Sequence, residues 1–142
     1  MNKEDALFTV NEIRWMDYYK RRAEQLKIKI ETVQYQMEHA TDPTSPQGHE
    51  NIGAGRSLSF EGKDTYINMK IKEEQRLSKE YAKFSARYIE AQVAYFRILD
   101  QTDEKDFVRD YFSKKYTLQQ LEEMYHTARA HRKLVQVVMN AI

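Results

Sequence analysis

The sequence predicts an all-α chain: a long antiparallel helical hairpin, with a coiled-coil dimer seam as an added option, followed by a small three-helix C-terminal unit containing a helix–turn–helix. Three observations carry this expectation. Both prolines and all four glycines fall between residues 41 and 64, and these residue types interrupt regular structure most strongly. On either side, large apolar residues recur every three or four positions, the period of a helix that buries one stripe. From Asp100 onward the rhythm shortens into brief apolar runs separated by turn residues.

The first arm is predicted over roughly 9–40. Thr9 and Glu12 have the spacing of a capping box, in which the two side chains satisfy free backbone N–H groups. Trp15, Tyr19, Leu26, Ile30, Val33 and Met37 recur at helical spacing, and Arg22 breaks the stripe. Residues 41–64 then read as a mobile loop, unusually long for a compact domain. The second arm starts near Asp64 or Thr65 and runs to Leu99, with Ile67, Ile71, Leu77, Tyr81, Phe84, Tyr88, Tyr95 and Leu99 as its stripe. Each arm is about 45–50 Å long at the rise of an α-helix. The hairpin therefore occupies 1–99 and the C-terminal unit 100–142.

In that unit, Asp100 to Asp103 is a turn with N-cap candidates. A helix to Phe112 follows, carrying Phe107, Val108, Tyr111 and Phe112. Thr117 and Gln120 form a second capping-box pattern, starting a helix over 118–124 that buries Leu118, Leu121 and Met124. Tyr125 to Thr127 is a tight connection. Thr127 caps a last helix to about Ile142, with Leu134, Val135, Val138 and Met139 inward.

Composition excludes several classes of function. The chain has 142 residues, 23 basic and 22 acidic, for a net charge of +1. It has no cysteine, which removes disulfide scaffolds, thiolate metal sites and cysteine nucleophiles. No apolar run approaches the roughly 20 residues of a membrane span, and Met1 to Asp5 lack the apolar core of a signal peptide. A cytoplasmic chain without membrane contact is expected. His126 and His131 are five apart, not the four that pairs metal ligands on a helix. Gly53 to Ser57 lack the strand and lysine of a phosphate-binding loop. The paired acids Glu73–Glu74 and Glu122–Glu123 splay apart on a helix. No enzyme, metal or cofactor is therefore expected.

Charge is informative only in the tail. From residue 113 to 142 there are five basic and two acidic residues, a local excess on a near-neutral chain. Lys114 and Lys115 precede the first helix of the last pair, and Arg129, Arg132 and Lys133 stand in the first turns of the second. In helix–turn–helix modules the second helix enters the major groove and its N-terminal residues meet base edges. Arginine is the commonest base-reading side chain, and lysines hold phosphates. Double-stranded DNA is the expected partner. A second surface is expected at Trp15, Tyr18 and Tyr19, whose residue types are enriched at protein interfaces. It suits a different class of function, a helical interaction protein that binds and inhibits or redirects a host protein.

From Ile98 through Asp103 to Phe112, and from Lys115 to Thr127, the tail resembles the C-terminal half of phage late-gene transcriptional regulators of the RinA/ArpU type, which carry a helix–turn–helix similar to sigma-factor region 4. Asn51 to Ser57 and Asp64–Thr65, ahead of a long helix, look alike too. The resemblance covers roughly residues 50–142. It implies a phage-encoded DNA-binding regulator in the bacterial host cell, acting near host RNA polymerase; the long hairpin, with its possible coiled-coil seam, separately predicts a homodimer. It implies that Thr127 caps the recognition helix and that Ala128, Arg129, Arg132 and Lys133 face DNA. The chain departs from the family pattern in the turn, where Tyr125 and His126 stand and no glycine occurs, and in the helix before it, where Gln120 and Leu121 replace an Ile-Ala pair.

Overall fold

The structure, a computed structural model, describes residues 1–40 and 60–141. Among them the chain forms α-helices and no strand: α1 (Lys3–Arg14), α2 (Met16–Glu38), α3 (Phe60–Gln101), α4 (Lys105–Phe112), α5 (Leu118–Tyr125) and α6 (Ala130–Ala141). Two compact units result, one of residues 1–19 with 86–142, the other of residues 20–85.

The first unit holds the larger core. Helix α1 begins at a cap that the periodicity did not show: the Asn2 side chain accepts a hydrogen bond from the Asp5 amide at 2.8 Å, and Glu4 and Asp5 complement the positive end of the helix dipole. Ala6, Val10 and Ile13, at one-turn spacing, are buried. They pack on α6, whose Leu134, Val135, Val137, Val138 and Ala141 are buried in the same cluster. Phe107 and Val108 from α4, Leu121 from α5 and Ile98 and Leu99 from the end of α3 complete it. Rings lock the smaller helices together, Phe107 edge-on to Tyr125 at 5.3 Å and Tyr95 edge-on to Phe112 at 5.6 Å.

The second unit is thinner. Leu26, Val33 and Leu77 form its buried core, with Ile30, Met37, Tyr81 and Phe84 against them. Arg22, the break in the apolar stripe, is held at the margin of this core: its guanidinium lies 3.7 Å from the Glu80 carboxylate and 6.0 Å from the Phe84 ring.

Several expectations on boundaries and burial are corrected. The first arm starts at Lys3, not Thr9, because Thr9 donates its hydroxyl to the Asp5 carbonyl within the helix and caps nothing. The arm is also divided at Trp15, a single residue between α1 and α2. The second arm begins by Phe60, so the expected loop ends earlier than 64; the rest of it, including Gly53 to Ser57, lies outside the described residues. Leu118, Met124 and Ile71, expected inside, are 50, 45 and 40% exposed. The last helix begins at Ala130, not after Thr127.

Candidate nucleic-acid interface

The C-terminal helix pair is built from local signals. The Thr117 side chain accepts from the Gln120 amide at 3.2 Å, and the Gln120 side chain accepts from the Thr117 amide at 2.8 Å, the reciprocal capping box that starts α5. The helix stops at His126, which takes a left-handed conformation, φ 53°. Glycine usually fills such a site, and histidine is among the few other residues that visit it. The amides of His126 and Thr127 both donate to the Glu122 carbonyl, which turns the chain toward α6. Lys114 takes the same left-handed conformation, φ 61°, after α4. Ser113 supports it, donating its hydroxyl to the Asp110 carbonyl and accepting from the Lys115 amide.

Arg129 opens α6: its carbonyl accepts from the Lys133 amide at 2.9 Å. The Thr127 cap implied by the family resemblance is absent for this reason. The first helical amide, on Ala130, donates instead to the Glu122 carboxylate at 3.2 Å. A carboxylate from α5 thus occupies the positive end of α6, a position at which helices hold anions.

The expected DNA-facing residues divide into two groups. Lys114, Lys115, Ala128, Arg129 and Arg132 are exposed and Thr127 is half-buried; among the described residues neither arginine makes an ion pair. Lys133 is turned onto the protein itself. Its Nζ lies 2.9 Å from the Glu104 carboxylate and 4.9 and 6.0 Å from the Phe107 and Tyr125 rings. It fastens α6 to α4.

The structure adds residues that charge alone did not mark. Gln136 and Asn140 are exposed and lie four and eight residues after Arg132, on the same face, with the Gln136 amide donating to Asn140 at 3.4 Å. No acidic residue occurs within α6. The outward strip therefore carries two guanidiniums and two carboxamides, the side chains that pair bidentately with guanine and adenine edges. The four-residue step from Arg132 was available in the sequence. A cleft of about 480 Å³ adjoins, lined among others by Arg14, Lys114, His131, Phe112 and Leu118. The His131 Nδ1 and the Tyr111 hydroxyl share a hydrogen bond at 2.9 Å. Burial pushes the Tyr111 phenol above its ordinary pKa, and the nearby Arg14 charge opposes the shift.

At the expected protein-binding surface, Trp15 and Tyr18 are 51 and 41% exposed, edge-to-face at 5.6 Å. Tyr19 belongs to the interior. It is 6% exposed, donates its hydroxyl to Glu12 at 3.0 Å and lies under the Arg87 guanidinium at 5.3 Å. Among the described residues no group of three histidine or carboxylate side chains is placed to hold a metal, and no helix is long and apolar enough to cross a membrane.

Protein-family models, curated proteins and solved structures give no match to this chain.

Proposed function

We propose that this chain is a non-enzymatic DNA-binding transcriptional regulator of the phage late-gene type, reading duplex DNA through α5, its turn and α6. The observation that carries the reading is the outward strip of α6. Arg132, Gln136 and Asn140 are exposed on one side of a helix that contains no acid, and Arg129, the last residue of the four-residue turn before it, is exposed in line with them. Side chains of this kind at helical spacing match the edge pattern of the major groove. Lys114 and Lys115 supply backbone contacts. The long helical hairpin would provide dimerisation or contact with host RNA polymerase.

The experiment is selection of bound duplexes from a random-sequence pool by the full-length protein. Wild type enriches a defined motif, and the double variant Arg129→Ala/Arg132→Ala enriches none. Equal enrichment by both proteins, or none by wild type, refutes the reading.

A second reading, a helical protein that binds and redirects a host protein, is favoured by one observation: Phe8, Trp15 and Tyr18 are 65, 51 and 41% exposed, the aromatic residue types that anchor protein interfaces. It requires a stoichiometric protein complex that Trp15→Ala/Tyr18→Ala abolishes while DNA selection is unaffected.

A further inference from the structure

Helix α3 carries two apolar faces between Ala86 and its end. One is occupied: Ala91, Ile98 and Leu99 are buried, and Tyr95 packs against Phe112. The other is bare. Ala86 is exposed, and Ile89, Val93 and Phe96 are 56, 55 and 53% exposed. These four residues stand three, four and three positions apart, the a and d register of a heptad. Scattered apolar side chains on a surface need no explanation; a row in register marks an interaction surface.

We propose that this row is the seam of a parallel, in-register homodimer in which α3 of two copies pair through Ala86, Ile89, Val93 and Phe96. Knobs at this spacing fit holes made by four residues of a facing helix with the same period. A second copy supplies that helix through a two-fold axis, each stripe meeting its own image. The seam positions carry no charge, as in interface cores, which suits a protein surface and not a nucleic acid.

The flanks set the direction. With Ala86 and Val93 at a and Ile89 and Phe96 at d, Glu90 and Arg97 occupy e and Gln92 occupies g. The flanking e and g residues decide partner and orientation. In a parallel pair each g residue faces an e residue of the next heptad, so Gln92 lies beside Arg97 of the partner subunit and no like charges meet. In a reversed pair e faces e, and Glu90 is set against Glu90 of the partner subunit.

The seam stands independently of the DNA-binding reading. Sedimentation of the full chain over a range of micromolar concentrations tests it. Wild type should sediment as a dimer, and Val93→Asp as a monomer with an unchanged helical circular-dichroism spectrum. The chain has no cysteine of its own, so Val93→Cys gives a clean crosslink: residues at a face each other across a parallel seam, and mild oxidation should yield a disulfide-linked dimer. A wild type that is monomeric at every concentration, a Val93→Asp variant that remains dimeric, or a dimeric Val93→Cys variant that does not link overturns the proposal.

Discussion

Three basic residues at the start of α6 look equivalent in the sequence and are not equivalent in the fold. Lys133 holds Glu104 at 2.9 Å and stands over the Phe107 ring. Its ion pair is partly solvated and contributes little, while the contact with the ring adds a further increment. Lys133→Ala should therefore cost about 1–2 kcal/mol, seen as a lower midpoint in denaturant unfolding. Arg129 and Arg132 are exposed, and their alanine variants should unfold within about 0.5 kcal/mol of wild type, as surface substitutions do. A stable Lys133→Ala variant would contradict the packing described. Tyr125 offers a second test. Its hydroxyl donates to the Asp110 carboxylate, and that hydrogen bond first, then burial, pushes the phenol up to about 12. The neutral phenol is the form held in the folded chain. Its contribution is thus fully present below the ordinary tyrosine pKa and is lost as pH rises through about 12. Ultraviolet titration of tyrosinate should show a late-ionising phenol that Tyr125→Phe removes, together with part of the alkaline loss of stability.

The turn between α5 and α6 concentrates two further tests at the scale of elements. His126 holds a left-handed conformation that costs an L-residue roughly 1–2 kcal/mol. His126→Gly should leave the fold intact and raise its melting temperature, whereas a β-branched His126→Val should lower it; the reverse order in a melting series would contradict the turn geometry. Glu122 caps Ala130 from the preceding helix. Glu122→Ala should cost about 1 kcal/mol of stability, as loss of an N-cap does. It should also tighten duplex binding several-fold, because it frees the end of α6 for a phosphate. Unchanged or weaker binding would show that this helix end does not approach DNA. How far such features were legible follows from their range. The Thr117–Gln120 box is a contact across three residues, and the sequence states it directly. The helices after Asp100 were placed within a few residues for the same reason. The division at Trp15 carries no Gly or Pro signal. The false start at Thr9 arose because a threonine inside a helix can bond back to the preceding turn as easily as it can cap one. The Glu122 bond to Ala130, eight residues on and across a turn, displaced the expected Thr127 cap, and nothing in spacing marks it.

Longer-range facts were less legible still. The apolar run from Leu134 to Met139 announced a buried face, but not that α1, at the other end of the chain, covers it. Spacing alone groups Lys133 with the arginines, because Glu104 and Phe107 become its neighbours only after α4 folds onto α6. The near-zero net charge meanwhile requires that any attraction to DNA come from a local surface, and the proposal places it at the start of α6, where Arg129 and Arg132 make no ion pair among the described residues and the helix holds no acid. The central claim is tested most directly by fluorescence anisotropy of the full-length protein on a labelled duplex across a salt series. Wild type should bind, with affinity falling linearly on logarithmic axes as salt rises. Arg129→Ala/Arg132→Ala should bind at least about tenfold more weakly at equal folded stability, since each bidentate base contact contributes about 1–3 kcal/mol. No measurable binding at low salt, or equal affinity for the two proteins, would contradict the account.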